Sequence, residues 1–186
     1  MQADKRFLKI QGELFVDRAL RLAQNAVRRY PMGEVLLCGD VPGRKSLPDA
    51  VLGLGPLSGI SSALRTISID PQEEAWLLVL PVDMPLLSEN LIQTLIAEIG
   101  HEGRASDGAF AYDGFEMPCL ILISSKVKKA VEDLCQIEKP SATRSIRGLF
   151  EQIGLKRIDL PEKSKPLMAN ANFPYDWARI SEEVLK

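Results

Sequence analysis

The sequence predicts an α/β fold of three layers, with helices on both sides of a mostly parallel sheet. Segments with apolar residues at helical spacing alternate with short apolar stretches, an order typical of βα units. One stretch, from Ala75 to the residue before Asp83, is apolar almost throughout. Such a run is typical of a strand buried on both faces of a parallel sheet. The length of 186 residues favours a single domain over residues 1–186.

The first third of the chain predicts two helices with a strand and a long loop between them. Apolar residues recur at helical spacing from Leu14 to Tyr30, which predicts the first helix. Glu34–Cys38 predicts a short strand, and a loop rich in Gly, Pro, Lys and Arg follows over Gly39–Leu54. Pro56 fits the first turn of a second helix, which extends to about Ile67.

The middle of the chain predicts a helix and a strand pair after the apolar run. Ser88 begins a helix that runs to Ile99, and Gly100 is well placed to end it. Gly108–Tyr112 and Cys119–Ile123 predict strands. Because Asp113-Gly114 is a turn signal between them, we expect this pair to be antiparallel.

The last third predicts further alternation of helices and strands. Ser124 or Ser125 caps a helix to Cys135, and Ser141 caps another that Gly154 stops after Ile153. Two short strands are predicted after it, over Leu155–Leu160 and Leu167–Asn172. Pro174 then opens a terminal helix.

The composition excludes several classes of function. Hydrophobic residues make up 46% of the chain and charged residues 26%, which is typical of a globular protein. The net charge of −2 gives no electrostatic reason to expect binding to nucleic acid or to a membrane surface. No apolar run is long enough to span a bilayer, and we expect no signal peptide. Cys38, Cys119 and Cys135 form no C-x-x-C pair. They favour reduced thiols in a cytoplasmic protein.

Asp83 is the first candidate for chemistry. It follows the apolar run and lies between Pro81 and Pro85. Open α/β sheets bind ligands beyond the carboxyl ends of their strands, so this carboxylate is a candidate ligand of a metal or phosphate site. One such aspartate suffices for Mg²⁺, which fills its shell with water and substrate phosphates. The alternative is an aspartate that caps a turn or a helix.

The segment Gly53-Leu-Gly-Pro-Leu-Ser-Gly59 is the second candidate. Its glycines permit close approach of the backbone to a ligand, and the helix that follows presents free amides to polar or anionic groups. An ordinary loop before a helix would have the same composition, so this segment alone leaves both interpretations open.

Two weaker candidates are a charged pair and an asparagine pair. Lys5, in Asp4-Lys5, is a compact positive charge suited to phosphate, although such a pair usually lies on a solvated surface. Asn170 and Asn172 are two residues apart, so on an extended segment they share a face. Their amides offer donors and an acceptor to a heterocycle or a phosphate. The alternative is an asparagine cap before Pro174.

Other chemistries lack support in the sequence. His101 is the only histidine and lies in a predicted loop, which disfavours a Ser-His-Asp triad and a histidine-based zinc site. Neither a G-x-x-x-x-G-K-[ST] phosphate loop nor a G-x-G-x-x-G motif occurs.

Taken in order, these pieces resemble the molybdenum-cofactor guanylyltransferases, within the nucleotidyltransferases that have a Rossmann-like sheet. Met1-Gln-Ala-Asp4-Lys5 resembles that family's Met-Gly-x-Asp-Lys, with Gln2 in place of the glycine. Gly12-Glu-Leu-Phe15 resembles its Gly-x-x-Leu before a long helix. Asp49 followed by Gly55-Pro-Leu-Ser-Gly59 matches its Asp and Gly-Pro-Leu-Ala-Gly.

The resemblance continues through the rest of the chain. Pro81-Val-Asp83-Met-Pro85 matches the family's Pro-x-Asp-x-Pro. The turn from Asp113-Gly114 to Pro118 resembles its Asp-Gly…His-Pro, with Met117 in place of the histidine. Asn170-Ala-Asn172-Phe-Pro174 matches its Asn-x-Asn-Thr-Pro. Each motif is modest, but their joint order is specific.

The resemblance implies an activity, namely transfer of GMP from GTP to molybdopterin with release of pyrophosphate. It implies that Mg²⁺ is the cofactor, that Asp83 binds it, and that Lys5 pairs with a phosphate of GTP. Further residues are implied in two substrate sites. The nucleotide would be held by Asp49, Gly55, Pro56, Leu57 and Gly59, and molybdopterin by Asn170 and Asn172. Proteins that insert the metal or mature molybdoenzymes are the implied partners.

The sequence departs from the family pattern at its start. Met1 matches an internal methionine of the family, so about fifteen residues with the first strand and the Gly-rich phosphate loop would precede it. The chain then either starts upstream of Met1 or is truncated and has little activity. We favour the upstream start because the remaining pattern is intact.

A second departure leaves the choice of nucleotide open. The connection from Cys38 to Asp49 is shorter than in the family, and Cys38 lies near a position where a polar base-contacting residue is common. A cytidylyltransferase of the same cofactor is therefore one alternative. A non-catalytic protein that binds molybdopterin or an enzyme that uses it is another, and the missing Gly-rich loop is the feature that supports it.

Overall fold

A computed structural model describes residues 4–69, 74–100, 108–136 and 143–171. They divide into two compact units. Unit 1 takes its described residues from Met1–Val35, Leu80–Thr94 and Asp159–Lys186. Unit 2 takes them from Leu36–Val79 and Leu95–Ile158. The predicted single domain over residues 1–186 stays a prediction.

Helices and strands are interspersed along the described chain, which confirms the predicted α/β class. The α-helices are α1 Phe15–Val27, α2 Pro56–Thr66, α3 Glu89–Ala97, α4 Ser125–Cys135 and α5 Ile146–Ile153. The strands are β1 Lys9–Ile10, β2 Glu13–Leu14, β3 Trp76–Val79, β4 Ala109–Tyr112, β5 Cys119–Leu122 and β6 Lys156–Ile158. Short 3₁₀ segments cover Lys5–Phe7, Glu98–Gly100 and Glu162–Met168. No helix of the described residues is long and apolar enough to cross a membrane.

The main sheet lies in unit 2 and has the strand order β3-β5-β4-β6. Strand β5 runs antiparallel to both of its neighbours, with Leu77 opposite Ile121 on one side and Ala109 opposite Ile121 on the other. Strands β4 and β6 are parallel, with Phe110 opposite Lys156. The predicted antiparallel strand pair is therefore confirmed. The sheet as a whole is mixed, and the β4–β6 pair carries its parallel part among the described residues.

Strand β3 differs from its prediction in burial. The sequence predicted a parallel strand buried on both faces, whereas every residue of Trp76–Val79 is half-buried and the strand pairs antiparallel with β5. It lies at one end of the described sheet. An apolar run indicates that both faces of a strand are apolar, but it does not indicate how many strands pair with it in the sheet. With one described neighbour, β3 is covered only in part.

The predicted strand Glu34–Cys38 is wrong as a strand. In the described residues Cys38 forms only an isolated parallel bridge with Leu47. The Leu47 N–H donates to Leu37 O at 2.7 Å, and the Gly39 N–H donates to Leu47 O at 2.8 Å. Apolar residues favour a strand, but a ladder also needs a continuous partner segment. Among the described residues, no further bridge joins the two segments beyond Leu47.

The core of unit 2 is built from three helices and the central strands. Helix α4 packs against α2 and α5. The buried residues of this core come from all of these elements and include Leu57, Ile60, Ala111, Ile121, Leu134 and Leu149. Burying each large side chain of this set contributes about 1.5–3 kcal/mol relative to exposure. Unit 2 therefore offers a firm base for the loops that connect these elements.

Serine caps set the starts of α4 and α5. The Ser124 hydroxyl accepts a hydrogen bond from the Val127 N–H at 3.2 Å, as predicted. The Ser145 hydroxyl accepts one from the Gly148 N–H at 3.1 Å. The sequence placed this second cap at Ser141, which lies outside the described residues. The described helix α5 begins at Ile146, directly after Ser145, whose hydroxyl pairs with one of the amides that the first turn leaves without a backbone partner.

Unit 1 begins with a hairpin that the sequence analysis did not predict. Strands β1 and β2 are antiparallel, with Ile10 opposite Glu13. Gln11 and Gly12 form the turn with φ of +50° and +83°. Two successive residues at positive φ are typical of a tight two-residue hairpin turn. Helix α1 follows directly, and its Phe15 N–H donates to Leu8 O at 2.9 Å.

The predicted strand over Leu167–Asn172 is also wrong. Its first residues belong to the 3₁₀ segment Glu162–Met168, and the chain then becomes extended at Ala169. Pro166 lies inside that segment, and its fixed φ suits a 3₁₀ turn while its missing N–H would break a ladder. Asn172, the predicted terminal helix from Pro174 and His101 lie outside the described residues.

Candidate active site

Asp83 lies in a turn that the core of unit 1 holds from both sides. Pro81 and Pro85 are buried, whereas Asp83 itself is half-buried. Its neighbour Val82 packs against a cluster of buried residues, and so does Leu86. That cluster consists of Ile10, Phe15 and Ala171. The apolar residues of the turn therefore anchor it, and the carboxylate is carried on a fixed backbone.

A backbone hydrogen bond joins the Asp83 turn to the segment that contains Asn170. The Ala171 N–H donates to the Asp83 carbonyl oxygen at 2.8 Å. Ala171 is 1% exposed, and Ala169 packs on the same cluster, whereas Asn170 between them is exposed. The structure therefore brings Asp83 and Asn170 together. Its predicted companion Asn172 lies outside the described residues.

Lys5 lies in the 3₁₀ segment Lys5–Phe7, shortly before residues that enter the same cluster. Leu8 packs against it and Ile10 is part of it. The preceding Asp4 is engaged by Arg6, whose Nη2 lies 2.6 Å from Asp4 Oδ2. This hydrogen bond lowers the pKa of the Asp4 carboxyl. The residues that follow Lys5–Phe7, the Asp83 turn and the residues on both sides of Asn170 thus pack in one apolar cluster of unit 1.

The described carboxylates are compatible with a metal ion that takes only one or two protein ligands. Among the residues that the structure describes, no group of three or more His, Cys, Asp or Glu side chains could hold a metal. A site built from protein ligands alone therefore has no support there. Mg²⁺ usually keeps water and phosphate oxygens and needs only one or two carboxylates. Asp83 supplies one carboxylate of this kind.

The start of α2 in unit 2 has an unusual backbone. Gly55 has φ +54° and ψ −135° and precedes Pro56, the first residue of the helix. A Cβ at Gly55 would meet nothing within 4 Å, so conformation rather than space requires glycine here. Leu57 is fully buried in the core. Of the predicted nucleotide residues, Leu57 can therefore offer only its backbone to a ligand.

Asp49 lies close to Cys38 and to α2. Burial raises the pKa of the Cys38 thiol, and the negative charge of Asp49 raises it further. Cys38 in turn lies against Gly59, where a Cβ would come within 3.1 Å of Cys38 Cβ. Asp49 itself is exposed. Unit 2 thus places the loop of Asp49 beside the Gly55–Gly59 segment, and their predicted role in holding a nucleotide stays a prediction.

Two serines of α2 were missed by the sequence analysis. The Ser58 hydroxyl accepts a hydrogen bond from the Val51 N–H at 3.1 Å. The Ser62 hydroxyl donates to the Pro48 carbonyl oxygen at 2.6 Å. Both serines are buried, and both bind the loop that carries Asp49. The signal in the sequence is their spacing of four, which puts two hydroxyls on one face of a helix among apolar residues.

Comparison with known proteins identifies relatives over most of the chain. A protein of Xanthomonas euvesicatoria pv. vesicatoria named molybdenum cofactor guanylyltransferase is 26% identical over 183 residues, 98% of this chain and 88% of its own. A probable molybdenum cofactor guanylyltransferase of Opitutus terrae is 28% identical over 188 residues, 96% of this chain and 87% of its own.

Structure comparison supports the fold. The bifunctional IspDF of Campylobacter jejuni superposes with a TM-score of 0.55 at 12% identity, over 95% of this chain and 48% of that one. This chain thus spans about half of the length of that protein. The family model described as MobA-like NTP transferase domain matches residues 1–155. The chain therefore belongs to the family of MobA-like NTP transferase domains.

Proposed function

We propose that the chain transfers GMP from GTP to molybdopterin and forms the guanine dinucleotide of the molybdenum cofactor. The observation that carries this proposal is the Asp83 turn, whose carbonyl oxygen accepts the Ala171 N–H at 2.8 Å. This bond holds a candidate metal ligand beside Asn170, the segment that we assign to the acceptor. Family membership and the names of the relatives give independent support.

The reaction is a phosphoryl transfer at the α-phosphorus of GTP. A terminal phosphate oxygen of molybdopterin forms a bond to that phosphorus, and the bond from the phosphorus to the oxygen bridging to the β-phosphate breaks. That oxygen leaves with its electron pair as part of pyrophosphate. No covalent intermediate with the protein is needed, so positioning and charge neutralisation carry the catalysis.

The residues of unit 1 would act on the phosphates. Asp83 would hold Mg²⁺ through its carboxylate, and the bound ion would neutralise charge on the triphosphate. Lys5 would pair with a phosphate as a compact cation. Asn170 and Asn172 would orient molybdopterin through their amides. The anchoring of the Asp83 turn and of Ala171 in one cluster supports a fixed distance between donor and acceptor.

The residues of unit 2 would hold the nucleoside. Guanine presents N1–H and a 2-amino group as neighbouring donors, and the Asp49 carboxylate can accept from both. At Gly55 a Cβ would meet nothing within 4 Å, so the backbone there leaves room for a ligand to approach the start of α2. Cytosine lacks this pair of donors, so Asp49 favours guanine. Maturation proteins as partners and a cytoplasmic location complete the proposal and stay predictions.

Calorimetric titration with nucleotides in the presence of Mg²⁺ tests the proposal. We expect GTP to bind at least about tenfold more tightly than CTP, the worth of one charged hydrogen bond. A clear preference for CTP would favour the cytidylyltransferase alternative. Binding of molybdopterin without any nucleotide binding would favour a non-catalytic protein.

A further inference from the structure

We propose that Ser58 and Ser62 are positioning residues that hold the Asp49 carboxylate for the base and thereby set the preference for guanine. The inference deepens the proposed function and rests on it. Neither serine would touch the nucleotide. Both would act through the loop that carries Asp49.

The two hydroxyls hold this loop on both sides of Asp49. Before it, the Pro48 carbonyl oxygen accepts a hydrogen bond from Ser62 Oγ at 2.6 Å. After it, the Val51 N–H donates to Ser58 Oγ at 3.1 Å. Ser62 thus acts as a hydrogen-bond donor to the loop, and Ser58 acts as an acceptor. The loop can neither slide along α2 nor lift from it without breaking one of these bonds.

Helix α2 is itself a fixed platform for the two serines. Its residues Leu57, Ile60 and Leu64 are at most 6% exposed and belong to the core of unit 2. Ser58 and Ser62 are 1% and 7% exposed. On the same helix, Gly59 leaves no spare room toward Cys38. Because α2 is held in place by the core, the hydrogen bonds of its two serines also fix the loop that carries Asp49.

Such a device is needed because Asp49 is exposed. A carboxylate in solvent rotates and shifts with its loop, and it discriminates between bases only if both oxygens meet two donors at once. A displacement of about 1 Å at such a contact costs much of its specificity. The two buried hydroxyls restrict the backbone of the loop without occupying the carboxylate.

The test compares GTP with inosine triphosphate, which keeps N1–H but lacks the 2-amino group. In the full chain with Mg²⁺, we expect Ser62→Ala to weaken GTP binding about tenfold and inosine triphosphate binding much less. Ser62→Thr keeps a hydroxyl and should restore the preference. Thr66→Ala is the matched control, because the Thr66 hydroxyl binds Ser62 O within α2 and not the loop.

Ser58→Ala provides a second route if Ser62→Ala lowers the melting temperature too far. It removes the acceptor for the Val51 N–H, and we expect the same selective loss for GTP. A loss of equal size for both nucleotides, or no loss in either serine variant, would overturn the positioning role.

A double-mutant cycle separates this inference from the proposed function. If Ser62 acts through Asp49, Ser62→Ala should add almost nothing to the effect of Asp49→Ala on GTP binding. Additive effects would overturn the positioning role and leave the base site intact. If Asp49→Ala leaves GTP binding unchanged, the assignment of Asp49 to the base is wrong, and both proposals lose that site.

Discussion

Asp83 is a half-buried carboxylate in a turn between two buried prolines. We expect Asp83→Asn to lower turnover about a hundredfold or more, because the amide keeps the shape but removes the charge that holds Mg²⁺. Steady-state kinetics with circular dichroism as a folding check measures this. The matched control is Asp133→Asn on α4, whose Oδ2 lies 3.4 Å from Lys129 Nζ in a surface pair. Turnover near that of the wild type in Asp83→Asn would remove Asp83 from the metal site.

Gly55 adopts a backbone conformation that other residues rarely reach. With φ +54° and ψ −135°, an alanine would be strained by about 1–3 kcal/mol even though space is free around it. We expect Gly55→Ala to lower the free energy of unfolding by this amount and to weaken GTP binding. Urea unfolding and titration measure both. Leu52→Ala, at a residue 87% exposed in the same loop, should change neither, and unchanged stability in Gly55→Ala would contradict the account.

Glu13 gives the stability of unit 1 a pH dependence. The Arg21 side chain hydrogen-bonds both of its oxygens at 2.9 Å, and this lowers the pKa of Glu13 below its usual 4.5. A lowered pKa contributes stability above pH 4.5, and this contribution is lost as the pH falls through the folded-state pKa. Glu13→Gln should therefore be less stable than the wild type at pH 7, by a margin that shrinks in acid.

Urea unfolding at a series of pH values between 7 and 3 tests this expectation. The exposed Glu151 on α5 provides the control substitution to glutamine. A difference between wild type and Glu13→Gln that stays constant across the series would show that the charge of Glu13 is not what stabilises the fold.

Residue by residue, the sequence revealed only part of the candidate site. Asp83 stood out because prolines flank it and an apolar run precedes it, and both are local signals. Ser58 and Ser62 did not stand out. Their spacing of four places both hydroxyls on one face of a helix, but it does not reveal that Ser62 binds a carbonyl fourteen residues earlier in the chain.

At the scale of elements, Gly148 sets the geometry where α5 begins. Glycine inside a helix usually costs about 1 kcal/mol relative to alanine. Here a Cβ at Gly148 would lie 2.1 Å from the Thr143 carbonyl oxygen. We therefore expect Gly148→Ala to destabilise the protein although alanine has the higher helix propensity, because the backbone at Thr143 or Gly148 must move to make room. Gln152→Ala, at an exposed position of α5, is the control for the effect of helix propensity alone. If Gly148→Ala were more stable than the wild type, the close approach to the Thr143 carbonyl oxygen would be refuted.

Elements with strong periodicity were predicted well, and elements that depend on distant partners were not. Helices α1 to α4 lie within a few residues of their predicted bounds. The strand expected at Glu34–Cys38 reduces to one bridge because Leu47 alone pairs with it. The β1–β2 hairpin was missed because its turn, Gln11-Gly12, is not among the common turn signals. Pairing is decided by tertiary context, which a window of sequence does not contain.

At the scale of the whole molecule, the predicted site residues are distributed over two compact units. Lys5, Asp83 and Asn170 belong to unit 1, whereas Asp49 and Gly55 belong to unit 2. Each unit holds its residues by its own core. From the sequence, residues 1–186 had been predicted to form one domain. The assignment of Lys5 and Asp83 to phosphates and of Asp49 and Gly55 to the nucleotide came from the resemblance of the motifs, and it remains part of the proposed function.

The central claim is that the chain transfers a guanylyl group, and identification of the product tests it most directly. The full chain is incubated with Mg²⁺, molybdopterin and GTP labelled at the α-phosphate. We predict that the label appears in a molybdopterin dinucleotide with one pyrophosphate released for each transfer. CTP labelled in the same position should give far less product. Absence of labelled dinucleotide while GTP binds, or more product from CTP than from GTP, would contradict the account.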